Sequence, residues 1–166
     1  MLRPATLADV PFIRGIASHP DNAPFITDED DAALAAYLAD PANRLLIWEA
    51  GCVPLGFALF CQVDEPSGAV ELRRLALAGT GRGQGQPFLR ALVDYGFGTL
   101  GAARVWLDAS SENARAMRTY DRAGFTLEGR LRQHWYRPAL GRVVDLILYG
   151  MLRSEWEALD PLPAQA

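Results

Sequence analysis

A strand-like apolar segment that runs directly into a glycine-rich turn constrains the fold of this chain more than any other feature. Residues 75–86 read Leu-Ala-Leu-Ala-Gly-Thr-Gly-Arg-Gly-Gln-Gly-Gln, and an apolar helical stripe begins at Phe88. Without Cβ atoms, Gly81, Gly83 and Gly85 can take positive φ angles and let the backbone approach a ligand closely. Several N–H groups would then point to one place at the positive end of a helix dipole, which predicts a phosphate-binding turn.

Hydrophobic periodicity along the rest of the chain predicts strands that alternate with helices. Apolar or alternating runs indicate strands at residues 2–5, 45–48, 55–63, 69–78, 104–109, 125–132 and 143–152. Apolar residues at helical spacing indicate helices from Thr6 or Leu7, from Thr27 until Pro41, after the glycine turn, and from Asn113 to Ala123. This order predicts a mixed α/β fold in one domain of residues 1–159, followed by a loose tail at residues 160–166.

Composition and charge argue against several classes of protein. The 166 residues carry a net charge of -4 and disperse their arginines along the chain, so we expect no nucleic-acid partner. No apolar run approaches the roughly twenty residues of a membrane span, and no secretory signal begins the chain, so we expect a cytoplasmic protein without a membrane partner. Because the chain contains no lysine, the turn cannot be a nucleotide-binding P-loop. Cys52 and Cys61 lack ligand spacing, so we interpret both as small buried apolar residues and expect no metal site.

A second motif further along the chain gives the glycine turn a more specific meaning. Residues 113–125 read Asn-Ala-Arg-Ala-Met-Arg-Thr-Tyr-Asp-Arg-Ala-Gly-Phe. The two motifs resemble the GNAT superfamily of acyl-CoA-dependent N-acyltransferases, whose pyrophosphate loop reads (Gln/Arg)-x-x-Gly-x-(Gly/Ala) and whose later helix reads Asn-x-x-Ala-x-x-x-Tyr-x-x-x-Gly-Phe. The residues in register are Arg82, Gly85, Asn113, Ala116, Tyr120, Gly124 and Phe125. Pro87 departs from the pattern, because the family usually has glycine or alanine there.

The resemblance extends over nearly the whole chain. Residues 2–4, 127–132 and 145–156 resemble the branch that contains ribosomal-protein N-terminal acetyltransferases and spermidine acetyltransferases. It implies the GNAT fold, a central, mixed but mostly antiparallel twisted sheet of about six to seven strands flanked by about four helices. It also implies acetyl transfer from the cosubstrate acetyl-CoA, without a metal, by direct attack of a primary amine from a protein N-terminus, a polyamine or another small molecule. The resemblance also admits a homodimer.

The resemblance assigns the coenzyme A site to the turn, the strand before it and the later helix. The amides from Gly83 to Gln86 would face the pyrophosphate, with Arg82 as a charged partner. Pro87 has no N–H, so we expect weaker pyrophosphate binding rather than its loss. The main chain from Leu75 to Leu77 would pair with the pantetheine arm as an added strand does. The full cofactor-binding set is Leu75, Leu77, Arg82, Gly83, Gln84, Gly85, Gln86, Pro87, Asn113, Ala116 and Tyr120.

The same register implies the catalytic roles. The backbone N–H of Leu77 would point at the thioester carbonyl, and Tyr120 would act as the general acid that protonates the departing thiolate. Tyr120 also has a purely structural interpretation as a packed helix aromatic. Glu71 is the candidate base, acting through a water, although Arg73 offers it an ion pair on the same face of the strand. His134 is the alternative base.

Several alternatives stay open. The protein could be a catalytically weak CoA-binding regulatory module, which Pro87 favours, or a transferase for another acyl-CoA. The acidic residues 28–31 could attract a cationic amine, or they could simply begin a helix, where the dipole favours negative charge. Arg115 could meet a ribose phosphate or lie on a solvated helix face. Trp135 and Tyr136 could line the acceptor pocket or contact a second subunit.

Overall fold

The computed structural model describes residues 1–79 and 83–159, which form a seven-stranded sheet with helices on both faces. The strands are β1 (Leu2–Pro4), β2 (Arg44–Ala50), β3 (Val53–Cys61), β4 (Ala69–Leu77), β5 (Arg104–Ser110), β6 (Thr126–Arg137) and β7 (Arg142–Leu152). The α-helices are α1 (Val10–Ala17), α2 (Asp31–Ala39), α3 (Gly85–Asp94), α4 (Ala114–Ala123) and α5 (Arg153–Glu157). A 3₁₀ turn at Leu7–Asp9 leads into α1, and a π-helical turn at Tyr95–Thr99 extends α3.

One parallel pair interrupts an otherwise antiparallel sheet. The strand order is β1-β2-β3-β4-β5-β7-β6, and only β4 and β5 run parallel, because α3 crosses over between them. They pair from Ala69 to Glu71 and from Arg104 to Trp106, and then separate. The mostly antiparallel mixed sheet confirms the predicted fold class, although the described residues contain five α-helices rather than about four.

Two apolar clusters hold the helices on opposite faces of the sheet. One cluster packs α3 and α4 against the sheet and includes Leu72, Phe88 and Val105. The other packs α1 and α2 against it and includes Ile13 and Phe57. Because successive side chains of a strand point to opposite faces, β4 and β5 each contribute alternate residues to the α3 cluster. The residues between them on β4 and β5 therefore face the opposite side of the sheet.

Two element boundaries differ from the sequence-based predictions. The predicted start of the second helix at Thr27 is wrong, because the Asp30 carboxylate accepts a hydrogen bond from Ala33 N–H at 2.8 Å and caps α2 there. β6 continues to Arg137 instead of ending at Arg132, because a bulge absorbs extra residues and pairing with β7 then resumes. Periodicity cannot locate a bulge of this kind.

Three further features were respectively not predicted, partly predicted and predicted from the sequence. α5 has only five residues, too few for a periodic pattern to indicate it. The expectation that both cysteines are buried is half wrong, because Cys61 is buried in β3 whereas Cys52 is exposed in the turn before it. Gly124 ends α4 as expected, with a left-handed φ of 91°.

Candidate active site

The separation of β4 and β5 opens a cavity of about 680 Å³ in the middle of the sheet. Its walls come from β4, β5, the turn before α3, α4, the loop after α1 and β6. Pro87 does not line the cavity, and Arg82 lies outside the described residues. Most other residues singled out by sequence line it: Glu71, Leu75, Leu77, Gly83, Gln84, Gly85, Gln86, Asn113, Ala116, Tyr120 and His134.

The main chain of β4 turns two amides toward this cavity. The N–H of Ala78 donates to the Leu55 carbonyl of β3 at 2.8 Å, and the direction of the N–H groups alternates along a strand. The amides of Leu75 and Leu77 therefore point away from β3, toward the side on which β5 has separated. On that side the Leu77 carbonyl accepts a hydrogen bond from Asn22 Nδ2 at 3.1 Å. Sequence reasoning missed Asn22, because it lies in a loop far from Leu77 in the chain.

The turn before α3 has backbone suited to close approach of a ligand. Gly83 has a φ of 70°, and no heavy atom lies within 4 Å of the position that a Cβ would take. Glycine is therefore needed here for conformation rather than for space. The expectation of a positive φ at Gly85 is wrong, because Gly85 is the first helical residue of α3. Gly81 lies outside the described residues.

The first turn of α3 presents N–H groups that the helix does not use. Its first hydrogen bond runs from Phe88 N to Gln84 O at 3.0 Å, so the N–H groups of Gly85 and Gln86 precede the helical ladder. Pro87 is the third residue of α3, where the missing N–H breaks no helical bond. The proline is thus compatible with the helix, although it adds no donor to the turn.

The N-terminus of α4 lies beside the turn. Asn113 Oδ1 accepts a hydrogen bond from Ala116 N–H at 3.1 Å, so Asn113 caps α4 while also lining the cavity. Gln86 Nε2 donates to the Thr119 carbonyl at 2.9 Å and ties the start of α3 to α4. These bonds fix the relative position of the two helices at the cavity.

Tyr120 is both a packed aromatic residue and part of the cavity wall. It is 5% exposed, and its ring lies edge-on to Tyr149 with the centroids 5.4 Å apart. Burial, followed by the nearby charge of Asp108, raises the pKa of the Tyr120 hydroxyl above its ordinary value. The hydroxyl therefore holds its proton at neutral pH, as a proton donor must.

Glu71 lies in the cavity in an ion pair. It is 9% exposed, and Arg73 donates to its Oε2 from Nε at 2.9 Å and from Nη2 at 2.6 Å. The register between β3 and β4 shifts at Leu59 and Phe60, which leaves Arg73 in a β-bulge. The structural ion pair weighed from the sequence is present, and a role of Glu71 as base stays a prediction.

Asp108 is a second carboxylate in the cavity, which sequence reasoning missed. Leu72 and Leu107 pack into the α3 cluster, so the pleat directs their neighbours Glu71 and Asp108 to the opposite face of the sheet. Burial, followed by the charge of Glu71, raises the pKa of Asp108 to about 6. The available signal was an acidic residue inside the apolar run 105–109, where a carboxylate is costly unless it has a partner or a function.

A bulge in β6 brings His134 to the same wall. The pairing of β6 with β7 shifts between Leu131 and Trp135, and the extra residues lie opposite Asp145. The Asp145 carboxylate accepts a hydrogen bond from Gln133 N–H at 2.7 Å, and Gln133 takes a left-handed φ of 48°. The bulge therefore directs the exposed His134 into the cavity wall.

One buried cation holds the loop after α1 against β6. Arg137 is 2% exposed and donates to the carbonyl oxygens of Ala23 at 2.6 Å, Pro24 at 3.0 Å and Ile26 at 2.6 Å. Its guanidinium also stacks on the Trp135 ring at 3.9 Å. Because the loop and the strand are far apart in the chain, no local pattern could predict this contact.

The acidic stretch at residues 28–31 is engaged within the protein. Each member has a partner: Asp28 and Asp31 pair with Arg14 at 3.2 Å and 2.8 Å, Glu29 pairs with Arg74, and Asp30 caps α2. The sequence left open whether these acidic residues begin a helix or attract a cationic amine. Because their charges already have partners, the structure favours the role at the start of the helix.

Metal clusters and membrane-crossing helices are not found in the described part of the chain. Residues 1–79 and 83–159 contain no group of three or more histidine, cysteine, aspartate or glutamate side chains placed to hold a metal ion. Within the same ranges, no helix combines the length and the apolar character needed to cross a bilayer.

Comparison with known proteins gives one family and several relatives. The family described as "Acetyltransferase (GNAT) domain" matches residues 1–126. An uncharacterized N-acetyltransferase p20 of Bacillus licheniformis is 28% identical over 103 residues, which is 61% of this chain and 57% of that protein. An uncharacterized N-acetyltransferase of Mycobacterium tuberculosis is 34% identical over 104 residues, which is 59% of this chain and 62% of that protein. The chain thus matches less than two thirds of the length of these curated relatives.

Solved structures share the same architecture. The spermidine N-acetyltransferase of Vibrio cholerae in complex with CoA and spermine superposes with a TM-score of 0.83 at 21% identity, covering 95% of this chain and 97% of that one. A dodecameric structure of the Vibrio cholerae spermidine N-acetyltransferase gives a TM-score of 0.79 at 21% identity, over 95% of this chain and 96% of that one. At this identity the similarity establishes the fold.

Proposed function

We propose that this chain, which belongs to the GNAT acetyltransferase family, transfers an acetyl group from acetyl-CoA to a primary amine. The observation that carries the proposal is the open edge of β4, which lies beside the N-terminus of α3 in one cavity. An extended pantetheine arm can pair with such an edge as an added strand. The diphosphate can at the same time reach the helix N-terminus, where free N–H groups favour anions.

The residues present fit the coenzyme. The amides of Leu75 and Leu77 face the cavity, and Gly83 leaves open space in front of the turn. Arg115 and Arg122 line the cavity from α4 and bring two guanidinium groups that suit phosphate. The proposed binding set also keeps Arg82, Gln84, Gly85, Gln86, Asn113, Ala116 and Tyr120. Pro87 contributes only by shaping the first turn of α3.

Acetyl-CoA supplies the acetyl group as a thioester, and the surrounding residues manage charge and protons. The Leu77 N–H stabilises the negative charge that develops on the carbonyl oxygen. Tyr120 gives its hydroxyl proton to the departing sulfur. A cavity carboxylate takes one proton from the ammonium through a water, so that the nitrogen lone pair can form the C–N bond while the C–S bond breaks. The second proton of the nitrogen then restores the Tyr120 hydroxyl.

Two carboxylates are available for that proton. Glu71 already accepts two hydrogen bonds from Arg73. Asp108 has a pKa of about 6, close to neutral pH, where a base works most efficiently. We propose that one of them is the base. The variant, Glu71→Gln or Asp108→Asn, that removes the acidic limb from the pH profile of kcat/KM identifies it.

Location and assembly are part of the same proposal. Two unpaired cysteines suit a reducing compartment, so we propose the cytoplasm. The acceptor is the primary amine of a small molecule or of a peptide, and self-association of the chain accompanies this activity, as the Vibrio cholerae relative forms a dodecamer.

The decisive experiment measures thiol release from acetyl-CoA with a panel of amines. The panel contains monoamines, polyamines and peptides with a free N-terminus, and a longer acyl-CoA tests acyl preference. We expect release that depends on the amine and an acetylated product in the mass spectrum. Tight CoA binding with only slow, amine-independent hydrolysis would instead support the regulatory module.

A further inference from the structure

Charged side chains at the acceptor end of the cavity nearly cancel one another. We define this end by the residues remote from the turn before α3, namely Glu71, Arg73, Arg74, Asp108, His134, Trp135 and residues 25–27. Glu71 is paired with Arg73, and Arg74 is paired with Glu29 behind it. Within the described residues, no hydrogen bond or ion pair to the Asp108 carboxylate occurs. This carboxylate therefore has no direct partner, although the charges of Arg73 and Arg74 and the exposed imidazole of His134 act on it from nearby.

Apart from Glu71 and Asp108, no acidic group in the described part of the chain lines the cavity to hold a second or third ammonium. Among the described residues, the cavity is lined by two carboxylates, those of Glu71 and Asp108, and by four arginines. Two of these arginines, Arg115 and Arg122, lie on α4 toward the coenzyme. The acidic stretch at residues 28–31 is neutralised or used as a helix cap. A polyamine with three or four charges thus meets no net attraction in this cavity.

The uncharged walls of the acceptor end are mostly apolar. Phe25, Ile26 and Trp135 line them together with the polar Thr27, and Leu146 adds an apolar side chain elsewhere in the cavity. The Trp135 ring is fixed on one side by the Arg137 guanidinium at 3.9 Å, and the same guanidinium holds the Ile26 carbonyl at 2.6 Å. Apolar walls held in place in this way favour an apolar body over a hydrated polar chain.

We infer that the acceptor is a primary amine with a single positive charge and an apolar body, such as an aralkylamine, and that polyamines are poor substrates. The ammonium lies beside Asp108, and the apolar body packs between Trp135 and the loop that carries Phe25 and Ile26. This inference rests on the proposed function and narrows its substrate class. The Asp108 carboxylate and the apolar wall select the amine together. An amine that lacks either the single charge or the apolar body matches only one of them.

The test compares phenethylamine with spermidine at saturating acetyl-CoA on the same preparation. We expect kcat/KM for phenethylamine to exceed that for spermidine by at least about tenfold. Arg73→Met removes the cation that neutralises Glu71, so it should shift the ratio toward spermidine by about tenfold. Arg142→Gln makes the same charge change at an exposed pair with Glu112 outside the cavity and should leave the ratio unchanged. Any loss of folded protein cancels in the ratio.

Calorimetric titration of each amine into the CoA-saturated protein gives a second readout that does not depend on turnover. Phenethylamine should bind more tightly than spermidine, and Arg73→Met should reduce the difference. Efficient turnover of spermidine, at a kcat/KM equal to or above that of phenethylamine, would overturn this inference and leave the transferase proposal intact. Absence of thiol release with every amine would contradict both the transferase proposal and this inference.

Discussion

The carboxyl group of Asp108 couples the stability of this protein to pH. Its pKa is raised from 3.8 to about 6, with burial as the main cause and Glu71 as the second. A carboxyl with a higher pKa in the folded state binds its proton more tightly there than in the unfolded chain. Stability from this group is therefore full below about pH 4 and falls as the pH rises through 6. Above that pH the ionised Asp108 costs at most about 3 kcal/mol.

We expect Asp108→Asn to stabilise the fold while it damages function. The free energy of unfolding should match that of the wild type below pH 4 and exceed it by about 2 to 3 kcal/mol at pH 8, because asparagine carries no buried charge. Urea unfolding at both pH values measures the difference. Asp64→Asn, the same change on an exposed turn, is the control. A gain of equal size at both pH values would show that the charge is not its cause.

Tyr120→Phe tests the acid role without disturbing the packing. The phenyl ring keeps the contact with Tyr149, so stability should change little, whereas kcat should fall by about a hundredfold because no hydroxyl protonates the leaving sulfur. Steady-state thiol release checks this. Tyr149→Phe removes the hydroxyl of a similarly buried tyrosine side chain outside the cavity lining and should leave kcat within about twofold. Equal effects of the two changes would contradict a catalytic role for Tyr120.

At the scale of elements, the turn before α3 depends on a left-handed glycine. Gly83→Ala meets no steric contact, so its effect is purely conformational and should cost about 1 kcal/mol. If the coenzyme needs that backbone conformation, the same strain should weaken CoA binding about fivefold in calorimetry. Gly141→Ala provides the matched control, since Gly141 has a φ of 63° and the same open surroundings. The Gly141→Ala variant should lose a similar amount of stability and keep the CoA affinity of the wild type.

The loop after α1 owes its position to Arg137. Replacement by methionine removes hydrogen bonds to three carbonyl groups and should cost about 3 kcal/mol of stability. The KM for the amine should rise, whereas the Kd for CoA should stay constant, because the loop lines the acceptor end. Arg153 donates to the carbonyls of Phe97 and Ala102 outside the cavity. Arg153→Met should therefore reduce stability without changing the KM for the amine.

Local pattern predicted the elements well and their interruptions poorly. The strand before the glycine turn was predictable from its apolar residues, and the helix from Asn113 was predictable because it combines a helical period with a cap at each end. The bulge that carries His134 was not, since it depends on the Asp145 carboxylate in a neighbouring strand. Asp108 escaped notice for a related reason. Its raised pKa comes first from burial and then from Glu71 on another strand, and single-strand periodicity holds no information about the second of these causes.

For the whole molecule, the sheet ends in a long edge strand that favours self-association. β6 has 12 residues and no partner on its outer side within the described chain, and Leu127 and Tyr136 on it are each 58% exposed. Exposed apolar edges of this kind tend to pair. We expect light scattering to give the mass of an oligomer, at least twice the 18.2 kDa of one chain.

A charge on the edge should reverse this association. Leu127→Lys should shift the protein toward the monomer. Leu7→Lys should not, because Leu7 is 66% exposed but follows β1, which lies at the opposite edge of the sheet from β6. A wild-type protein that stays monomeric at every concentration would refute assembly through β6.

The brief contact between β4 and β5 divides the sheet into two halves joined over only three residue pairs. A pantetheine arm seated between them would complete the floor on which the amine rests. On the proposed function, the amine would therefore meet a finished pocket only after the thioester has entered. We expect an ordered reaction, in which the acyl donor binds first and the acceptor second.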